Sequence, residues 1–134
     1  MTAPAAMPDI ELVAATYLRS LLPGVFVGTE WPATIAERLP VVAVSLGGGG
    51  SRQRSITADR VLDIDVLAAT KSQARQLVAD VSAHLLAAAG TALPGARIYG
   101  VDETSVVWLP FEAASETDPI PRYVLVMSMV IRPA

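Results

Sequence analysis

One imidazole, two closely spaced acidic pairs and a run of four glycines are the residues that could do chemistry in this chain. His84 is the sole histidine. A general base needs a partner within hydrogen-bond reach, and nothing in the sequence nominates one, so His84 reads as a surface or interface residue. A Ser-His-Asp arrangement is assembled in space rather than along the chain, but no G-x-S-x-G elbow is present. Asp63 and Asp65, on a strand, project from one face about 7 Å apart. Such a pair could hold a cation or exchange protons. A divalent site needs more oxygen ligands, and no D-x-D-x-D-G loop surrounds the pair, which reads as a solvated strand face. Asp102 and Glu103 read as turn or bulge residues. The glycines, Gly47, Gly48, Gly49 and Gly50, do not match a phosphate loop, whose Lys must follow the last glycine; the one lysine is Lys71. With no Cys there is no disulfide, thiolate metal site or thiol nucleophile. The expectation is a protein that is not an enzyme, with no catalytic, metal or cofactor site.

The composition points to burial rather than reaction. Of 134 residues, 52% are apolar and only 17% charged, with a net charge of -3. Soluble domains carry roughly 25% charged residues. The length suits one domain, 1–134, with its own core. The apolar content excludes disorder, and a pI near 5.0 argues against a basic nucleic-acid binder. No membrane segment is expected: Leu77–Leu93 spans 17 residues and is broken by Asp80 and His84, where a spanning helix needs about 20 apolar residues. The start of the chain has no basic region and carries Pro4, Pro8 and Asp9, unlike a signal peptide, so a cytosolic origin is expected. The apolar excess suggests surface covered by other subunits.

The elements follow from periodicity. Residues 1–8 read as a flexible arm. Asp9 can cap a helix in which Ile10, Val13, Ala14, Tyr17, Leu18 and Leu21 share a face; Pro23-Gly24 stops it. Val25–Thr29 is a strand candidate and Trp31–Leu39 a loop. Val41–Leu46 is a strand, after which the glycines end regular structure and open a long hairpin loop over 47–60. In the strand Val61–Ala69, Leu62, Ile64 and Val66 oppose Asp63 and Asp65. Thr70 and Gln73 form a capping box for a second helix whose apolar face is Ala74, Leu77, Val78, Val81, Leu85 and Ala88. Arg97–Leu109 is a strand with a bulge near Gly100 or Asp102-Glu103; 110–121 is an acidic loop; Arg122–Ile131 is the final strand. The order α-β-β-β-α-β-β implies an α+β domain: a mainly antiparallel sheet of four to five strands with two helices on one face.

The final strand is apolar on both sides: Tyr123, Leu125, Met127, Met129 and Ile131 on one, Val124, Val126 and Val130 on the other. An antiparallel strand with one wet face alternates with polar residues. Either loop 110–121 covers the second face or a neighbouring subunit does. The glycine run is either a flexible hairpin tip or a loop ordered by a partner, with Arg52, Arg54 and Arg60 offering charge-assisted contacts. The back of the second helix, including Ala79 and Ala83, either admits a close neighbour or reflects alanine's helix propensity. Gly47 to Gly50, Arg52, Arg54, Ala79, Ala83, Tyr123, Met127 and Met129 are therefore the interface candidates.

Four segments together carry a resemblance: Leu22-Pro23-Gly24-Val25 after the first helix; Leu39-Pro40-Val41-Val42 entering a strand closed by Gly47-Gly48; Thr57-Ala58-Asp59-Arg60 leading into Leu62–Thr70; and Pro121-Arg122-Tyr123-Val124. In pattern and order, over roughly 10–132, the chain resembles the tail terminator (tail completion, or head–tail connector) proteins of long-tailed bacteriophages. The resemblance implies a virion structural protein of the tail or neck, assembled in the host cytoplasm. It implies a homo-oligomer, a hexameric ring, that stops tail-tube polymerisation and joins the tube protein to the head connector or stopper. Genomic DNA would pass through its pore without sequence-specific binding, with Asp63 and Asp65 as pore-lining candidates. A head–tail joining or stopper protein of the neck, and a small ligand-binding α+β domain, are the alternatives.

Overall fold

The computed structural model describes residues 6–52, 56–112 and 118–134; of Ser51 and Arg52 it describes the backbone. The chain order is α1 (Ile10–Leu21), β1 (Phe26–Gly28), α2 (Ile35–Arg38), β2 (Val41–Arg52), β3 (Thr57–Leu67), α3 (Lys71–Ala87), β4 (Ala92–Leu93), β5 (Ala96–Trp108) and β6 (Arg122–Pro133). Asp9 caps α1 by accepting a hydrogen bond from the Leu12 amide, and Thr70 caps α3 by accepting one from Gln73.

The six strands form one sheet in the order β1-β2-β3-β6-β5-β4. β1 joins β2 in parallel; every other pairing is antiparallel. The α+β class and the shared helix face hold. The structure adds α2 within the expected loop at Trp31–Leu39, and the two-residue β4 beside the Pro94-Gly95 turn. The bulges of β5 fall between Ile98 and Gly100 and between Glu103 and Ser105.

The main core lies between the sheet and both long helices. Ala14, Leu18, Val81 and Leu85 from the helices meet Val44, Leu62, Ile64, Leu125 and Met127 from the strands, all at most 1% exposed. Period two in the strands puts alternate residues on this face. That explains why Leu62, Ile64 and Val66 are dry while Asp63 and Asp65 stand on the other side.

The 47–60 loop expected from the glycine run is corrected. β2 continues through the glycines, with Gly48, Gly49 and Gly50 paired to Val61, Arg60 and Asp59 after a register shift between Leu46 and Gly48. Residues 53–55 lie outside the described residues. The glycines serve the ladder instead of ending it, because close packing excludes side chains there. A Cβ on Gly47 would meet the Asp63 carboxylate, and one on Gly49, at φ +122°, would run into the Asp59 backbone. Neighbouring β3 is itself held by β6 as far as Ala58, so β2 has a fixed partner along this stretch.

These two glycine environments are separable by mutation. Gly49→Ala should lower stability by about 1–3 kcal/mol through backbone strain. Gly50→Ala, with open space at its Cβ, should change it by less than about 0.5 kcal/mol. Urea midpoints of the two variants check this; equal midpoints would mean the glycines are not in a paired ladder.

Candidate functional site

The residues that sequence chemistry singles out lie on different elements: His84 on α3, Asp63 and Asp65 on β3, and Asp102 and Glu103 on β5. The His84 carbonyl accepts a hydrogen bond from the Tyr17 hydroxyl at 2.8 Å, tying α3 to α1. Among the described residues no three His, Asp or Glu side chains gather as a metal site, and no helix is long and apolar enough to cross a membrane. Glu103 accepts from the buried Ser82 hydroxyl at 2.7 Å, which places it on a strand as a structural acceptor.

The surfaces of the sheet are more informative. Its second face has no long helix over it. At one end that face carries a small separate cluster of Val41, Leu67 and Ile120 with Phe26, Trp31, Ile35, Leu39 and Phe111 packed against it. Segment 31–39, Phe111 and Ile120 supply this cover, pinned by the bridge between Phe111 and Ile120. Farther along, Val124, Val126 and Val130 are half-buried beside Asp63 and Val61. The described ends of the 110–121 loop thus cover one end of β6; residues 113–117 lie outside the described residues.

Arg122 organises that covered end. Its guanidinium lies 5.6 Å from the Trp31 ring and 5.7 Å from Phe111, and the two rings meet edge-on at 4.8 Å. Its Nε donates to the Leu109 carbonyl at 2.8 Å and its Nη1 to Asp65 at 3.4 Å. The indole of Trp31 donates to the other Asp65 oxygen at 3.2 Å. Burial raises the Asp65 carboxyl above its ordinary value; Arg122 and the indole pull it down, and Asp63 adds to the rise. Asp65 is therefore held inside a cation–aromatic cluster. The sequence placed Arg122 at a strand start without nominating its partners. Trp31, Phe111, Asp65 and Arg122 lie far apart along the chain, and no spacing rule joins them.

The remaining candidates divide cleanly. Met127 and Met129 are 0% and 2% exposed; both are core residues beneath the helices, which corrects their nomination as interface residues. Tyr123 is half-buried, its ring 5.1 Å from Trp108, over which Lys71 sits at 4.5 Å. Ala79 and Ala83 are exposed on α3, and Gly47 to Gly50 are exposed on β2. Arg52 belongs to β2 by its backbone, and Arg54 lies outside the described residues.

The two edges of the sheet differ. At the β1–β2 edge, α1 caps the free backbone groups: Arg19 donates to the Val27 carbonyl at 2.8 and 3.2 Å, and Glu11 accepts from the Leu46 amide at 2.7 Å. Beside β1 lies an open hollow of about 510 Å³ lined by Arg19 and Val25 to Glu30. At the opposite edge β4 and the Thr91 backbone cover β5 only as far as Ile98. Beyond it Val106, Val107, Trp108 and Leu109 are 37–49% exposed in succession. Periodicity in the sequence marks this strand but not its edge position, which is set by strand order.

Comparison with known proteins follows the same direction. The model of a family described as phage tail termination protein matches residues 6–105. Twenty chains of solved structures match the fold. One, from a structure titled "Virion of native gene transfer agent (GTA) particle", is 21% identical, with a TM-score of 0.56 over 90% of this chain and 84% of that chain. No curated protein matches.

Removing the Arg122 guanidinium should cost about 1–3 kcal/mol, since Asp65 loses its ion pair while still half-buried. Thermal denaturation of Arg122→Ala checks this. The Asp65 carboxyl also sets a pH dependence. Its proton affinity is higher folded than unfolded, so it favours folding fully below the ordinary carboxylate range and loses that contribution as pH rises through the raised value. The stability of the wild type relative to Asp65→Asn should therefore be greatest in acid and decline toward neutrality. A difference that grows toward neutrality would contradict the raised affinity.

Proposed function

Since the chain belongs to the phage tail termination protein family, and is thus a structural protein of the virion tail and neck, we propose that it closes into a ring at the head-proximal end of the tail. There it ends polymerisation of the tube and gives the head connector its seat. The ring is hexameric, and it performs no catalysis. The observation that carries the ring is the exposed apolar run Val106–Leu109 on a sheet edge that no described strand or helix covers beyond Ile98. Monomeric proteins blunt such edges with charge, proline or cover, as this chain does at its opposite edge.

A head-to-tail interface whose rotation closes gives a ring; one that does not close gives a filament. A terminator must be of the first kind, with two unlike faces, one for the tube and one for the connector. The side of the sheet opposite α1 and α3 suits the lumen: Asp63 stands on it, and the chain carries net charge -3. An acidic lining would not hold phosphates, so genomic DNA would slide past without sequence-specific binding. Asp63 fills this role better than Asp65, whose carboxylate is engaged by Trp31 and Arg122.

Incubating the purified chain with tail tubes and examining them by electron microscopy tests the reading. The expected result is a ring at one tube end and no further growth when tube subunits are added. A chain that stays monomeric by light scattering and joins neither tubes nor connectors would overturn it.

A further inference from the structure

We propose that the ring contact is made level for level between the open β5 edge of one copy and the β1–β2 edge of the next; the inference rests on the ring reading above. The occupant of the β5 edge is thus a second copy of this chain.

Strand direction is the first argument. Three antiparallel pairings separate β2 from β5, so β5 runs opposite to β2, and β1 runs with β2. Rotation about an axis along the strands leaves their directions unchanged. The next copy then presents β1 and β2 antiparallel to β5, the favoured direction for neighbouring strands, while the Val27 carbonyl and the Leu46 amide stay engaged by α1.

Levels along the strands match as well. Following the pairings across the sheet, Val27 stands level with Val42, Val66, Tyr123 and Trp108. The exposed run Val106–Leu109 therefore faces the hollow beside β1 in the neighbouring copy. A projecting apolar edge meets a recess of about 510 Å³, and Arg19 keeps its hold on the Val27 carbonyl. By the same count Gly50 stands level with Asp59, Val130 and Gly100. Here the bare glycine strand Gly48–Gly50 faces the stretch around Tyr99, which is 46% exposed. Aromatic side chains laid across edge glycines are a known device for fixing strand pairs.

The natural absence of Cys makes a direct test possible. Gly50 and Gly100 both have open space where a Cβ would stand. Within one copy they are three strand spacings apart, about 14 Å, beyond the roughly 7 Å limit for a disulfide. In the Gly50→Cys/Gly100→Cys chain, oxidation should produce a ladder of linked oligomers ending in one closed species. Mixing the two single variants should link Gly50→Cys protein to Gly100→Cys protein in preference to like pairs. Adding Val107→Lys should cut linking by about tenfold or more, because the ammonium would be buried against the neighbour, while the monomer keeps its unfolding midpoint. Rings seen by native mass spectrometry without linking, or like pairs exceeding mixed pairs, would overturn this contact and leave the ring standing. A chain that is monomeric alone and on tail tubes would overturn both.

Discussion

The antiparallel register between β3 and β6 fixes nearly everything else in the molecule. Leu62, Ile64 and Val66 stand opposite Met127, Leu125 and Tyr123, so two neighbouring central strands present the same apolar parity to α1 and α3. A slip of β3 by one residue would turn Asp63 and Asp65 into the core and Leu62, Ile64 and Val66 out. Burying those carboxylates without partners would cost more than any single contact elsewhere could restore. With this pair fixed, β2 adds on one side and β5 on the other. The helices then find one continuous apolar face.

Because two helices cover one face only, the reverse face needs another solution, and the chain uses a local one. Trp31 and Phe111 come from connections that precede β2 and β6, and they meet over the end of the sheet where Arg122 begins β6. The guanidinium is suited to this place: it stacks against aromatic faces and still donates to a carboxylate and a carbonyl. Trp31 adds its own N–H to Asp65, so a polar group on an otherwise apolar cap is satisfied. The rest of the reverse face, along Val124, Val126 and Val130, keeps partial exposure.

Local signals in the sequence were good guides where local physics decides. Asp9 and Thr70 cap the helices their spacing suggests, and the helical stripe from Ala74 to Ala88 is the buried one. The bulge near Gly100 was also legible, because glycine in a strand tolerates it. Local signals failed where a neighbouring strand overrides them. Four consecutive glycines argue for a break, yet β3 offers a paired partner and Asp63 and Asp59 occupy the places side chains would need. The methionines of β6 were read as possible interface because strand parity cannot say which face the helices choose. The Asp65–Arg122–Trp31–Phe111 cluster was illegible for a related reason: its members meet only after the sheet is ordered.

Strand order also imposes a timetable. β5 touches the main sheet only through β6, and β6 follows β5 in the chain. As the polypeptide leaves the ribosome, α1 is made before the edge it caps. The strand that carries Val106–Leu109, by contrast, has no place in the sheet until β6 has been synthesised and inserted between β3 and β5. An incomplete chain therefore has no sheet on which to display that edge. The insertion of β6 is thus the step that gives β5 its place and brings Val106–Leu109 to the rim of the sheet.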